Sequence, residues 1–189
     1  MDEIIMVGLV GVTNSGKSTL LNALRSDPTI GLIEVGKEMR RRHPPEYFDG
    51  QGAMAKTEAE VWEIVDEQYA AAVRSGRRMV ICDGQPRLPG HVEKMVERFG
   101  LLHLLQLHAD HDVLEERARR RDSDPQTLEL SHRRLTNDYI QLYQVLAEWH
   151  IHPQSMLAQC ETIDTTGGEG FIPAAVDFLD GLKRMATFA

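Results

Sequence analysis

The chain has 189 residues, of which 42% are hydrophobic and 26% are charged, an ordinary balance for one globular domain with a full core. Its 29 acidic residues outnumber its 21 basic ones and give a formal charge of −8, which disfavours non-specific binding to nucleic acid or to an anionic membrane surface. The sequence shows no stretch long enough for a transmembrane helix and no signal-peptide pattern, so we expect a cytoplasmic protein.

The first predicted element is a buried strand, the apolar run Ile4-Ile5-Met6-Val7-Gly8-Leu9-Val10. A glycine-rich loop follows it, with the sequence Gly11-Val12-Thr13-Asn14-Ser15-Gly16-Lys17-Ser18. After the loop, Thr19-Leu20-Leu21-Asn22-Ala23-Leu24 is typical of the first turns of a helix. The loop fits the pattern G-x-x-x-x-G-K-[ST] in the strand–loop–helix context that this pattern requires.

Polyphosphate binding explains the spacing within this loop. The two glycines let successive backbone N–H groups turn inward around an anion, and the start of the helix adds partial positive charge. Lys17 can reach the β- and γ-phosphates, and Ser18 can offer its hydroxyl to Mg²⁺. We therefore predict a nucleoside triphosphate site rather than glycines that serve only a turn. Its residues are Asn14, Ser15, Gly16, Lys17, Ser18 and Thr19.

Strand and helix patterns alternate along the rest of the chain. Further strands are predicted at 31–35, 79–82, 101–107 and 161–164. Helices are predicted at 36–42, 57–74, 92–99, 113–121, 127–149 and 172–185, with a loop over 47–55. Such alternation predicts an α/β fold, a five-stranded parallel sheet covered by helices on both faces, in one domain spanning 1–189. Trp62 and Trp149 lie within amphipathic helices, where we expect them to anchor the core.

Arginines cluster in three places, which are residues 40–42, Arg87, and residues 117–121 with Arg133 and Arg134 beyond. Phosphoryl transfer needs fixed cations because charge spreads over the oxygens of the transferred group. A guanidinium suits this because it binds phosphate with two hydrogen bonds and keeps its charge. The alternative for an arginine on a helix surface is solvation or pairing with a nearby carboxylate. We favour that alternative for Arg41, Arg42, Arg119 and Arg120.

The order of four segments extends the interpretation to nearly the whole chain. They are residues 11–19, Ile33-Glu34-Val35-Gly36-Lys37-Glu38-Met39-Arg40, Cys82-Asp83-Gly84-Gln85-Pro86-Arg87, and Glu116-Arg117-Ala118-Arg119-Arg120-Arg121, the last followed by Asp122-Ser123-Asp124-Pro125 and Arg133-Arg134-Leu135. In this order they resemble the adenylate kinase family of nucleoside monophosphate kinases, in its short-lid form. The resemblance implies the P-loop NTPase fold and transfer of the γ-phosphoryl group of Mg²⁺·ATP to a monophosphate.

The resemblance also assigns roles to individual residues. Gly36 and Arg40, together with Gly84 and Arg87, bind the acceptor. Ser18 and Asp83 hold Mg²⁺ directly or through water. The residues implied in catalysis are Lys17, Arg87, Arg117, Arg121 and Arg134, the last chosen from the pair Arg133 and Arg134. Mobile segments are implied at about 36–74, on the acceptor side, and at about 117–134, the lid. The loop over 165–170 is expected near the donor base.

Three departures from the family pattern leave the acceptor base open. Gln85 replaces an aromatic residue, and Leu88 replaces a threonine. His91 stands where members specific for adenylate have a glutamine that contacts the base. His91 either binds an acceptor base or is a surface residue in the turn Leu88-Pro89-Gly90.

Other functions compete with this one. A P-loop kinase of a nucleoside or small metabolite would use a carboxylate as base, and Asp83 is the candidate. A GTPase switch is suggested by Asn14 and the following Leu20-Leu21-Asn22-Ala23-Leu24, but no N-K-x-D element that reads guanine is present. A catalytically idle nucleotide-binding module is disfavoured because Lys17, Ser18 and Asp83 are all present. We expect nucleotides as the only partners, and a monomer or small homo-oligomer.

Overall fold

The structure is a computed structural model, and it describes residues 4–44, 53–122 and 124–186. The strands are β1 (Ile5–Val10), β2 (Ile30–Glu34), β3 (Met79–Asp83), β4 (Leu102–His108) and β5 (Cys160–Asp164). The α-helices are α1 (Lys17–Leu24), α2 (Val35–Arg42), α3 (Ala53–Arg74), α4 (His91–Phe99), α5 (His111–Arg121), α6 (Pro125–Ile151) and α7 (Ile172–Ala186). Two short 3-10 helices, Pro153–Met156 and Gly168–Phe171, complete the described elements.

The predicted strands and helices are confirmed in type and order, and their ends differ by a few residues. The largest difference is at α3, which begins at Ala53 rather than at residue 57. Most of the predicted loop over 47–55 lies outside the described residues. Neither 3-10 helix was predicted; Gly168–Phe171 overlaps the end of the predicted loop over 165–170.

The five strands form one parallel sheet in the order β2-β3-β1-β4-β5. This confirms the predicted α/β fold of P-loop NTPases. Strand β1 lies at the centre, and its residues are buried along their whole length. Strand β3 pairs with β1 on one side, so that Asp83 stands opposite Leu9 near the carboxyl end of both strands. The phosphate loop, residues 11–18, therefore leaves the middle of the sheet beside the end of β3.

Successive residues of β1 supply two separate cores, because side chains alternate between the faces of a sheet. Met6 and Val10 pack with Trp62 and Trp149 in the core that lies under α3, α4 and α6. Val7 and Leu9 belong to the core under α1 and α7. Helices thus cover both faces, as in the predicted three-layer arrangement, and both tryptophans are buried core residues as expected.

No helix among residues 4–44, 53–122 and 124–186 is long and apolar enough to cross a membrane.

Candidate active site

The phosphate loop has backbone conformations that favour glycine at both glycine positions of its pattern. Gly11 has φ +150°, and a Cβ there would lie 2.6 Å from the carbonyl oxygen of Leu107. Gly16 has φ +98° and immediately precedes α1. Asn14, between them, also adopts a positive φ, 65°. The left-handed backbone turns the loop back on itself, which is the geometry that the phosphate-binding interpretation requires.

Lys17 lies with its ammonium group enclosed by this loop. Its Nζ donates to the carbonyl oxygens of Gly11, at 2.5 Å, and Val12, at 2.8 Å. Burial lowers the pKa of Lys17, and the carboxylates of Asp83 and Asp138 act in the opposite direction. The predicted phosphate-binding lysine is therefore held at the loop, within electrostatic reach of two carboxylates.

Ser18 and Asp83 fit the predicted magnesium site by the chemistry of their donor atoms. Neither side chain has a hydrogen-bond partner within the described parts of the chain. Burial raises the pKa of Asp83, and the positive charges of Lys17, Arg40 and Arg87 oppose that shift. A hydroxyl and a carboxylate are oxygen donors of the kind that Mg²⁺ prefers.

Arg87 follows β3 and is held by helix α6. Its NH2 group donates to Oδ1 of Asp138 at 3.1 Å, and its Nε donates to Oε1 of Gln141 at 3.2 Å. The other carboxylate oxygen of Asp138 accepts the backbone N–H of Thr13, in the phosphate loop, at 2.8 Å. Asp138 therefore connects the predicted acceptor arginine with the phosphate loop.

Sequence reasoning missed Asp138, although one signal was present. The buried stripe of α6 runs through Leu135, Val145 and Trp149, with Leu142 partly buried against the core. Asp138 falls on the same face, three residues after Leu135 and four before Leu142. A carboxylate on an apolar helix face indicates a specific partner, because an unpaired charge there is costly.

The remaining predicted acceptor residues lie around Asp83. Arg40 is exposed on α2, with NH1 3.5 Å from the point where a Cβ on Gly36 would lie, and it has no hydrogen-bond or ion-pair partner among the residues described. Gly84 has φ +98°, and a Cβ there would lie 3.5 Å from Cβ of Val35, at the start of α2. The charges of Arg40 and Arg87 both act on Asp83. The two predicted acceptor arginines are thus both within electrostatic reach of Asp83.

Arg117 and Arg121 both contact Asn14 of the phosphate loop. NH1 of Arg117 donates to the Asn14 carbonyl oxygen at 3.1 Å and to Oγ1 of Thr165 at 3.2 Å. Arg121 donates to Oδ1 of Asn14 at 2.7 Å and forms an ion pair with Asp122. These contacts brace the loop, which the resemblance did not indicate; contact with donor phosphates stays a prediction for both arginines.

Arg134 is exposed on α6, and its charge contributes to the lowered pKa of Asp122. It has no hydrogen-bond partner in the described ranges. Its catalytic role stays a prediction. By contrast, the surface pairing expected for four other arginines is confirmed: ion pairs join Arg41 and Arg42 to Glu38, Arg119 to Glu115, and Arg120 to Glu116.

His91 is buried, so its interpretation as a surface residue of a turn is wrong. The backbone N–H groups of Arg87 and Leu88 each lie 3.4 Å from its Nδ1, and Gln85 contacts the same nitrogen through Oε1. Its Nε2 lies 3.6 Å from Oε1 of Glu58 on α3. Both ring nitrogens therefore face groups of the chain. This geometry supports the loop that carries Arg87, and the contact with an acceptor base stays a prediction.

A cavity of about 380 Å³ lies between α5 and the segment after β5. Its lining includes Asp112, Glu116, Arg117, Arg120, Thr166 and Gly168. This is the region in which the resemblance implies the donor base. The predicted mobility of the segments at about 36–74 and 117–134 stays a prediction, and residues 45–52 and 123 within them lie outside the described residues.

The family model described as an AAA domain matches residues 10–132 of the chain. This range runs from the end of β1 into α6 and includes Lys17, Asp83 and Arg87. None of the curated proteins matches the chain.

Solved structures share the fold over nearly the whole chain. A putative kinase from Chloroflexus aurantiacus J-10-fl matches with a TM-score of 0.64 and 18% identity, covering 98% of this chain and 99% of its own. A sugar kinase from Janibacter sp. HTCC2649 matches with a TM-score of 0.60 and 18% identity, covering 94% and 95%. Shikimate kinase from Bacteroides thetaiotaomicron matches with a TM-score of 0.54 and 22% identity, covering 95% and 98%. The chain thus has a fold found in P-loop kinases, while the adenylate kinase family is not specifically confirmed.

Proposed function

Since this chain belongs to the AAA domain family, we propose that it is a P-loop kinase that transfers the γ-phosphoryl group of Mg²⁺·ATP to a nucleoside monophosphate. The observation that best supports an anionic acceptor is the convergence of charge on Asp83. Lys17 from the donor loop and Arg40 and Arg87 from the acceptor side all act on this carboxylate. A phosphate bound near it would lie within electrostatic reach of these three cations.

Such a reaction needs alignment and charge neutralisation more than proton transfer. The acceptor phosphate is already an anion, so no dedicated general base is required. Lys17 would stabilise the moving group, and Arg40 and Arg87 would fix the acceptor. Mg²⁺ held by Ser18 and Asp83, directly or through water, would neutralise charge on the donor phosphates. Arg117 would keep the phosphate loop in place beside the groove that receives the donor base.

A second candidate is phosphorylation of a hydroxyl group on a small metabolite or nucleoside. Asp83 favours it, because burial raises the pKa of this carboxyl and leaves it without a hydrogen-bond partner among the described residues. A carboxylate with a raised pKa is a better base toward a hydroxyl. The similar structures that are described as a sugar kinase and as shikimate kinase support the same candidate.

An acceptor panel decides between the two candidates. Purified protein is incubated with Mg²⁺·ATP, or with Mg²⁺·GTP, and each common ribo- and deoxyribonucleoside monophosphate. Parallel reactions contain free nucleosides, sugars or shikimate. Conversion of the added monophosphate into its diphosphate, beyond the ADP left by the donor, supports the main proposal. Phosphorylation of a neutral hydroxyl acceptor alone contradicts it in favour of the second candidate, and a strong preference for GTP with no transfer contradicts both.

We predict that Arg87→Ala raises the acceptor KM by about tenfold or more, because the acceptor phosphate loses a charge-assisted contact of roughly 1.5–3 kcal/mol. The KM for ATP should change little. Steady-state kinetics with each substrate varied in turn measure both effects. Arg119→Ala is the matched control, since Arg119 pairs with Glu115 on an exposed face, and Lys17→Ala is the inactive reference. Unchanged acceptor kinetics in Arg87→Ala would refute the assigned role.

A further inference from the structure

The carboxylate of Asp138 lies between the two halves of the proposed site. One of its oxygens accepts the backbone N–H of Thr13 in the phosphate loop at 2.8 Å. The other accepts a hydrogen bond from NH2 of Arg87 at 3.1 Å. Thr13 and Asp138 are 125 residues apart in the sequence, so this contact exists only in the folded chain. One side chain therefore contacts both the donor loop and the arginine assigned to the acceptor.

Helix α6 fixes the position of this carboxylate. Its side chain is 17% exposed, against 49% for Arg87. Leu135 and Val145, on the same helix face, are buried and hold the helix against the body of the protein. Gln141, three residues after Asp138, accepts from Nε of Arg87 at 3.2 Å. Two acceptors on one rigid helix thus orient the Nε and NH2 side of the guanidinium.

This arrangement leaves other donors of Arg87 available. A guanidinium has five N–H donors, and Asp138 and Gln141 take one each, from NH2 and Nε. The NH1 group has no hydrogen-bond partner in the part of the chain that the structure describes. An anion can bind NH1 while Asp138 keeps its hold on NH2, so orientation by Asp138 and binding by Arg87 are compatible.

We propose that Asp138 is a positioning residue that sets the orientation of Arg87 relative to the phosphate loop. The inference rests on the proposed phosphotransferase function, because orientation matters only if Arg87 binds the acceptor. Asp138 contacts the loop at Thr13 and the guanidinium at NH2, and it thereby fixes the alignment of acceptor and donor. A misplacement of about 1 Å in such an alignment can reduce turnover by about a hundredfold without a comparable loss of binding.

The test separates turnover from binding in the full-length protein. Asp138→Asn removes the charge that holds Arg87 while an amide oxygen remains to accept from Thr13. We expect kcat to fall by about 10- to 100-fold, with the acceptor KM changed by less than about threefold. Calorimetric affinity for Mg²⁺·ATP should stay within about twofold. Asp177→Asn, an equal loss of charge at an exposed residue of α7, is the matched control and should leave all three values unchanged.

A double-mutant cycle shows whether Asp138 acts through Arg87. In the Arg87→Ala background, Asp138→Asn should lower kcat by less than about twofold further. If the loss of kcat in the double variant equals the product of the losses in the two single variants, the residues act independently and the proposal is overturned. A tenfold loss of ATP affinity in Asp138→Asn would overturn it as well, because the carboxylate would then act mainly on the phosphate loop.

Two further measurements keep the inference testable if the first variant or the proposed function fails. Gln141→Leu removes the second hold on Arg87, and we expect kcat to fall by about three- to tenfold at similar acceptor KM. If the wild-type protein phosphorylates no acceptor, the proposed function fails. The double-mutant cycle is then measured on the equilibrium constant of urea unfolding. If the double variant departs by about twofold or more from the product of the two single effects, Asp138 orients Arg87. If the two effects simply multiply, the proposal is overturned.

Discussion

At the level of single residues, Gly8 shows how closely the central strand approaches the loop that carries Arg87. A Cβ at Gly8 would lie 2.6 Å from Cδ of Pro86 and 2.9 Å from Cδ2 of Leu104. Pro86 immediately precedes Arg87. Because Gly8 has no side chain, the loop that carries Arg87 can lie directly against β1.

We predict that Gly8→Ala lowers the free energy of unfolding by about 1–3 kcal/mol, because the new methyl group must displace Pro86 or Leu104. Turnover should fall as well, since Pro86 and Arg87 would move together. Urea unfolding and the phosphotransfer assay measure the two effects. Gly167→Ala is the matched control, because a Cβ there meets nothing within 4 Å and its φ is −74°. Equal stability of the two variants would contradict the close approach.

His91 and Asp138 show why the sequence predicted some site residues and not others. Lys17 and Ser18 belong to a contiguous motif whose chemistry is local. Asp138 meets Thr13 across 125 residues, and only its place on a buried helix face hinted at a partner. His91 follows the sequence Leu88-Pro89-Gly90, which is typical of an exposed turn, yet its side chain points inward beside Trp62. Whether a side chain at a turn points inward or outward depends on tertiary packing, and the local sequence pattern does not determine it.

At the level of elements, helix α5 connects the phosphate loop with the segment after β5. NH1 of Arg117 reaches the Asn14 carbonyl oxygen, and NH2 donates to the carbonyl oxygen of Thr165. Oγ1 of Thr165 in turn donates to the Ser15 carbonyl oxygen at 3.0 Å. One guanidinium therefore joins α5, the phosphate loop and the segment after β5 at the edge of the cavity between α5 and that segment.

We predict that Arg117→Lys weakens the binding of Mg²⁺·ATP by about tenfold, because an ammonium keeps the charge but cannot bridge Asn14 and Thr165 as a planar fork does. Calorimetry measures the affinity directly. Arg119→Lys, two residues later on an exposed face of the same helix, should bind as the wild type does. If the two variants bind alike, the bracing does not contribute to affinity.

The elements themselves were predictable because their patterns are long and periodic, and their ends were not. Residues 61, 64, 65 and 72 of α3 recur at helical spacing and identified the helix, yet it begins four residues before the predicted start. Strand β2 ends at Glu34, so Val35, which was assigned to the strand, opens α2. An apolar residue at such a junction suits either element.

At the level of the whole molecule, His103 makes stability depend on pH. It lies in β4 with 7% of its surface exposed, and its Nδ1 accepts the backbone N–H of Gln159 at 3.0 Å. Burial lowers the pKa of His103 to about 4 in the folded protein, against 6.5 ordinarily. Between these values the unfolded chain takes up a proton that the folded chain does not, so the free energy of unfolding falls as the pH drops from 6.5 towards 4.

We predict that His103→Gln reduces this loss of stability by up to about 3 kcal/mol over that range. Urea unfolding at pH 7 and at pH 4.5 in both proteins provides the measurement. Burial also lowers the pKa of His91, but this residue is present in both proteins, so its contribution to the pH dependence cancels in the comparison. Asp27 and Asp122, whose pKa values are lowered to about 2 from an ordinary 3.8, are present in both proteins, so their contribution cancels as well. Parallel pH profiles for the two proteins would contradict the prediction.

The strand order has a consequence for how this chain can change its substrate. Strands β2 and β3 carry Glu34, Asp83 and the loop to Arg87, on one side of β1. Strands β4 and β5, on the other side, lead into α5 and Thr166, which line the cavity proposed to receive the donor base. Under the proposed function, mutations that change acceptor choice would fall in the half of the sheet with β2 and β3, and the half that frames the proposed ATP site would stay unchanged. Asp138 contacts both Arg87, which follows β3, and Thr13 of the phosphate loop. A substitution on either side must therefore stay compatible with the position of this carboxylate.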